Sequence, residues 1–138
     1  MSESKQARTW QQLGQSAPPL TWSLKYWPDA IKEAKFLTSE QYWHLADQLK
    51  DIASTDEPTK SSTVEIAPIG GFWELKDKGA ILRKLNVRVF FVTDTEEPRS
   101  IIVLGVHKKE DEGQLRRSVV VRIERRLRLY LESRRTEN

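Results

Sequence analysis

The sequence contains no cysteine, and its two histidines, His44 and His107, lie far apart. The first absence removes disulfides, thiolate metal sites and a cysteine nucleophile. The second leaves no histidine spacing suited to a metal. No apolar run approaches the ~20 residues of a membrane span, and the opening MSESKQARTW lacks the apolar core of a signal peptide. The expectation is a cytoplasmic chain with no metal, no cofactor and no membrane partner. Internal repeats and low-complexity tracts are also absent.

What is present is charge, unevenly spread. Residues 1–69 hold 7 Lys and Arg against 9 Asp and Glu, and residues 70–138 hold 16 against 11. The basic character therefore belongs to the second half. A chain of 138 residues fits one domain. Residues 1–19 end in Ser-Ala-Pro-Pro without periodicity and are expected to form a flexible extension, leaving 20–138 as the domain.

Leu20 to Trp27 alternates as a strand would, with Pro28 as its stop and Asp29 as the cap of a short helix, Ala30 to Leu37. Thr38-Ser39-Glu40-Gln41 has the spacing of a capping box. After it, Tyr42, Leu45, Ala46, Leu49, Ile52 and Ala53 recur as the stripe of an amphipathic helix ending by Ser54. Val64 to Ile69 reads as an edge segment, followed by Gly70-Gly71.

Three strand-like runs follow: Phe72 to Lys76, Val87 to Thr93 and Ile101 to Val106. Asp94 to Arg99, polar and broken by Pro98, is hairpin-loop chemistry. Folded as an antiparallel meander, this stretch brings Lys76, Lys78, Arg83, Lys84, Arg88, His107, Lys108 and Lys109 to one end of the sheet. A polyanion is the ligand such an end suits. Glu110 to Gly113 reads as a turn, and Gln114 to Arg135 as a helix. Val119, Val120, Ile123, Leu127, Tyr130 and Leu131 form its apolar side, opposite Arg117, Arg122, Arg125, Arg126 and Arg128. The sum is an α+β fold: a small antiparallel sheet with a helical hairpin and a C-terminal helix, the helices on one face.

The ordered set Phe72-Trp73-Glu74-Leu75-Lys76, Val87-Arg88-Val89-Phe90-Phe91 and Ile101 to Lys109, followed by a basic helix, resembles the RelE/ParE superfamily of bacterial toxins, in its HigB or phage Gp49-like branch. The resemblance implies a RelE-like, microbial-RNase-like fold and a helix-turn-helix antitoxin as partner. It also implies ribosome-dependent cleavage of mRNA without metal or cofactor. The family's strand arginine falls on Arg88 and its basic pair on Lys108 and Lys109. RelE-type members also carry strand lysines and a later tyrosine, where this chain has Trp73-Glu74-Leu75 and Leu115. That difference opens a second reading, a nonenzymatic binder on the same fold, such as a ParE-like gyrase inhibitor or an RNA-binding protein.

Cleaving RNA without metal requires proton removal from a 2′-OH, stabilisation of the phosphorane charge and protonation or screening of the 5′-oxygen. Arg88 offers a fork matched to phosphate oxygens, or else pairs with Glu74 on the next strand. The ordinary histidine pKa lies near neutrality, so His107 suits an acid or base, or is a surface histidine at a strand end. With Lys109 these are the candidate catalytic residues. Lys76, Lys78, Arg83, Lys84, Lys108 and Arg117 are the candidate RNA-binding residues, although lysines at a sheet edge also serve simply to block aggregation. The tryptophans read as packing residues, with Trp22, Trp27 and Trp73 able to stack on a base where exposed.

Overall fold

The computed structural model describes residues 20–61, 64–77, 86–109 and 115–137. The N-terminal extension, the turn at Glu110 to Gly113 and the basic loop residues Lys78, Arg83 and Lys84 lie outside the described residues. Among the described residues five strands form one sheet: β1 (Ser23–Tyr26), β2 (Glu65–Ile69), β3 (Phe72–Asp77), β4 (Asn86–Asp94) and β5 (Ser100–Lys109). Three α-helices accompany them: α1 (Pro28–Glu33), α2 (Ser39–Ala53) and α3 (Arg117–Glu137). The sheet order is β1-β5-β4-β3-β2. The meander from β2 to β5 is antiparallel throughout, as its turn chemistry requires, whereas β1 joins β5 in parallel.

The helices do not share one face. β4 and β5 are buried almost continuously from Val87 to Val92 and from Ser100 to Val106, and a strand apolar on both sides needs cover on both sides. Leu75, Val89, Phe91 and Val103 pack under α1 and α2, with Leu45, Leu49 and Ile52. Phe72, Phe90, Ile102 and Leu104 pack under α3, against Val119 and Ile123. Phe72 and Phe90 meet edge to face, 5.6 Å between ring centres. Burying each such side chain contributes about 1.5–3 kcal/mol.

Local chemistry explains most element ends. The Thr38 hydroxyl accepts from the Gln41 N–H at 3.1 Å, and the Gln41 side chain accepts from the Thr38 N–H at 3.0 Å, so the capping box forms as the spacing predicts. The first helix differs from expectation. Pro28 is not a strand stop alone but opens α1, whose cap is Trp27, and Asp29 lies inside the first turn. Proline fits there because its missing N–H has no helical partner in any case. After Glu33 the chain tightens into a 3₁₀ turn, Ala34–Phe36. Gly70, at φ 57°, makes the tight β2–β3 turn. Trp22 is buried and donates its indole N–H to the Thr55 carbonyl at 3.0 Å, while Trp27 and Trp73 are partly buried against the same core.

Two residues of α3 sit elsewhere than its periodicity predicts. Leu131 is 52% exposed, and Arg126 is 8% exposed, turned toward the sheet rather than solvent. For Arg126 the reason is the end of β1. That strand covers β5 only as far as Val103, leaving later main-chain groups of β5 without a strand partner. Arg126 Nη1 donates to the Leu104 carbonyl at 2.8 Å, and the Val106 N–H donates to Glu33 Oε1 at 3.1 Å. Arg126 and Glu33 also form a bidentate pair, at 2.9 and 2.8 Å. One ion pair thus fastens α1 to α3 around the sheet and completes the hydrogen bonding of β5.

Gly105 makes this contact possible. A β-bulge between Phe90 and Phe91 in the pairing shifts the register there, and a Cβ on Gly105 would lie 2.5 Å from Ile123 Cδ1 and 3.0 Å from Arg126 Nη1. Gly105→Ala is expected to cost about 1–3 kcal/mol through overpacking, read as a lower midpoint in urea. An unchanged midpoint would mean that α3 does not press on the strand as described.

Candidate functional site

The basic end of the sheet is built by register. Lys76 on β3 lies opposite Arg88 on β4, and Arg88 lies opposite His107 on β5. Strands run about 5 Å apart, so the three residues form a row about 10 Å long. Alternation puts Glu74 and Lys109 on the same face, the one α3 covers, and turns Lys108 to the other. Arg117, exposed, opens α3 over this face.

Charge burial decides how the row is held. Arg88 is 8% exposed and Glu74 5%. Their nearest atoms, Arg88 Nε and Glu74 Oε2, are 3.4 Å apart. Glu74 lies diagonal to Arg88 rather than opposite it, because the direct partner of Arg88 is Lys76. Lys76 reaches Glu74 at 3.9 Å and Glu65 at 3.8 Å, so one buried carboxylate lies between two cations. Arg88 Nη1 also donates to Asn86 Oδ1, a residue that alternation along β4 puts on the same face. The Arg88 Nε–H has no hydrogen-bond partner among the described residues. His107 is half-buried, Lys108 exposed and Lys109 8% exposed. On this face Lys76, Arg88 and Lys109 outnumber Glu74 and Glu65 by one charge, a small positive bias toward an anion at the sheet end.

Chemically, the row offers a planar guanidinium donor, an imidazole and one ammonium group, types that suit phosphate oxygens and proton transfer. Among the described residues no group of three or more His, Asp or Glu is arranged to hold a metal ion. No helix of the described residues is long and apolar enough to cross a membrane. Leu115, on the way into α3, packs against the apolar cluster under that helix.

Two further polar features escaped the sequence reading. Tyr26 lines a small cavity of about 40 Å³ beneath α1 and α2, and burial, with a smaller contribution from Tyr42, pushes its phenol up to about 12. It stays protonated at neutral pH and is no base. At the far end of the sheet, the Tyr130 hydroxyl donates to Asp94 Oδ2 at 2.5 Å, and Arg134 Nε lies 2.7 Å from the same oxygen. Arg134 also reaches Glu96 at 2.5 Å, so one guanidinium shared between two carboxylates ties α3 to the β4–β5 hairpin.

Burial tends to raise the Asp94 pKa, but hydrogen bonds from Tyr130 and the Glu96 N–H, with the Arg134 charge, outweigh it and hold the carboxyl below its ordinary 3.8. A lowered folded-state pKa stabilises the fold above the unfolded value, and that contribution is lost as pH falls through the folded value. Asp94→Asn is therefore expected to flatten the acid limb of stability below pH ~4. Chemical denaturation at several pH values checks this; an unchanged acid limb would count against the cluster.

Compared with known proteins, the chain matches no family model and no curated protein sequence.

Proposed function

We propose that this protein is the toxin of a toxin–antitoxin pair, a ribosome-dependent, metal-free mRNA endoribonuclease of RelE/HigB type. The observation that carries the reading is the row Lys76–Arg88–His107 on three adjacent strands. Arg88 would hold the scissile phosphate and stabilise the phosphorane. His107 would exchange the proton of the 2′-OH or the 5′-oxygen. Lys76 and Lys109 would screen flanking phosphates, and the exposed Lys108 and Arg117 would contact the backbone further out. Lys78, Arg83 and Lys84, which lie outside the described residues, would add further backbone contacts. An acidic face of a helix-turn-helix antitoxin would neutralise the row.

The test is induction of the protein in a bacterial host, with primer extension on cellular mRNA, beside incubation with mRNA with and without translating ribosomes. Growth arrest with breaks that need the ribosome supports the reading. Intact message in both settings sinks it.

One observation favours a second reading. Arg88 is nearly buried and engaged with Glu74 and Asn86, so its guanidinium also suits a purely structural part. On that reading the fold is a nonenzymatic binder of RNA or of DNA gyrase. Salt-sensitive RNA binding without breaks supports the RNA version, and DNA damage without RNA breaks supports the gyrase version.

A further inference from the structure

We infer that the groove between the C-terminal half of α3 and the β4–β5 hairpin binds a free α-amino acid with an apolar side chain. The groove has a volume of about 580 Å³, within the range of about 300–1,000 Å³ usual for small-molecule sites. It lies at the opposite end of the sheet from the row Lys76–Arg88–His107 and shares no residue with it. The inference therefore does not rest on the nuclease reading.

Two rows of α3 side chains line it. Leu127, Leu131 and Arg135 follow one another at four-residue spacing, beside Tyr130 and Arg134 at the same spacing. Each row ends in a guanidinium. Across from them stand Val92, Asp94 and Glu96 of the hairpin. Gly71 closes the other end, where a Cβ on it would lie 3.3 Å from Leu127 Cδ2. The groove is thus polarised, apolar toward Gly71 and charged toward Glu96 and Arg135. Leu131 is 52% exposed, apolar surface that a ligand in the groove would cover.

The charges select the ligand. Asp94 and Glu96 share the one guanidinium of Arg134, which leaves a surplus negative charge on the hairpin side. Arg135 is exposed and has no ion pair among the described residues, and Glu132, one turn before it, does not line the groove. A surplus of each sign therefore lies at the same end. A simple carboxylate would answer Arg135 and face the surplus carboxylate, and a simple amine would do the reverse. An α-amino acid carries ammonium, carboxylate and side chain on one carbon, so it answers both charges and lays its apolar part toward Leu127 and Val92. A polypeptide segment has lost that charge pair to its amide bonds. The Tyr130–Asp94 and Arg134–Asp94 contacts, at 2.5 and 2.7 Å, hold the charged wall in place in the free protein, which lowers the ordering cost of binding.

The test is a saturation-transfer NMR titration of the full chain with L-leucine and L-phenylalanine. Three probes each lack one feature: 4-methylpentanoate the ammonium, leucinamide the carboxylate, and glycine the apolar side chain. The two amino acids are expected to bind with Kd between about 10 μM and 1 mM, and each of the three probes about tenfold or more weakly than leucine. Arg135→Gln should weaken leucine about tenfold and leave leucinamide unchanged, whereas Glu96→Gln should weaken leucine and leave 4-methylpentanoate unchanged. Both side chains are largely exposed, and thermal melting shows that the variants are folded; the probe comparison on the wild type needs no variant. No binding of either amino acid at about 10 mM would overturn the inference. So would 4-methylpentanoate or leucinamide binding as tightly as leucine, or leucine binding that neither variant changes. Message cleavage is read in a different assay, so the nuclease reading and this site stand or fall separately.

Discussion

Arg126→Ala is expected to lower the unfolding free energy by up to about 3–5 kcal/mol, because it leaves the largely buried Glu33 carboxylate with only the half-exposed Arg122, 3.7 Å away, as an ion-pair partner. Glu33→Ala should cost a similar amount. The informative variant is the double replacement Glu33→Leu/Arg126→Met. For a buried ion pair with no other duty, apolar replacement is often neutral. Here each partner also satisfies a main-chain group of β5, Val106 N–H and Leu104 C=O. Removing both side chains leaves those groups buried and unmade, at about 1–3 kcal/mol each. The double variant should therefore remain destabilised, by about 2–6 kcal/mol, in urea denaturation. Recovery to the wild-type midpoint would show that the pair is only an ion pair and that the edge of β5 is satisfied by other means.

Arg88→Ala carries the second large effect. If Arg88 stabilises the phosphorane, its loss should reduce mRNA cleavage about 10²–10³-fold, the range for removing one transition-state donor. The same change leaves Glu74 buried beside Lys76 alone, so the fold must be monitored. Glu74→Gln separates the two effects. It removes the buried negative charge without removing the guanidinium, and the nuclease reading expects cleavage to persist. If Arg88 serves only to neutralise Glu74, the two variants should instead leave activity equally unchanged wherever the protein stays folded.

These predictions differ in how far the sequence anticipated them. The capping box at Thr38 and the meander from β2 to β5 were legible because short-range chemistry decides them: a hydroxyl three residues from its N–H, and turn residues between apolar runs. The row Lys76–Arg88–His107 was legible as a shared sheet end, although the register that places Lys76 rather than Glu74 opposite Arg88 depends on turn geometry. The Glu33–Arg126 pair was not legible. Its partners are 93 residues apart, and it exists because β1 stops short of the end of β5, which no local pattern encodes. Arg126 lay among arginines that the helical wheel assigned to solvent, and only packing around Gly105 turned it inward.

Helices on one face were expected from the order of elements, and the missed signal was composition. Val89-Phe90-Phe91-Val92 and Ile101-Ile102-Val103-Leu104 do not alternate, and strands without a polar side need cover on both sides. The C-terminal helix is that second cover. Its inner side closes the core, and its outer side is left free for the arginines.

The most direct test of the account is the cleavage of a defined mRNA in a reconstituted translation reaction, with end-group analysis of the products, for wild type, Arg88→Ala and His107→Ala. Ribosome-dependent breaks with 2′,3′-cyclic phosphate ends are expected for the wild type, lost in folded Arg88→Ala and with an altered pH profile in His107→Ala. An intact message with the wild type, or equal cleavage by folded Arg88→Ala, would contradict it.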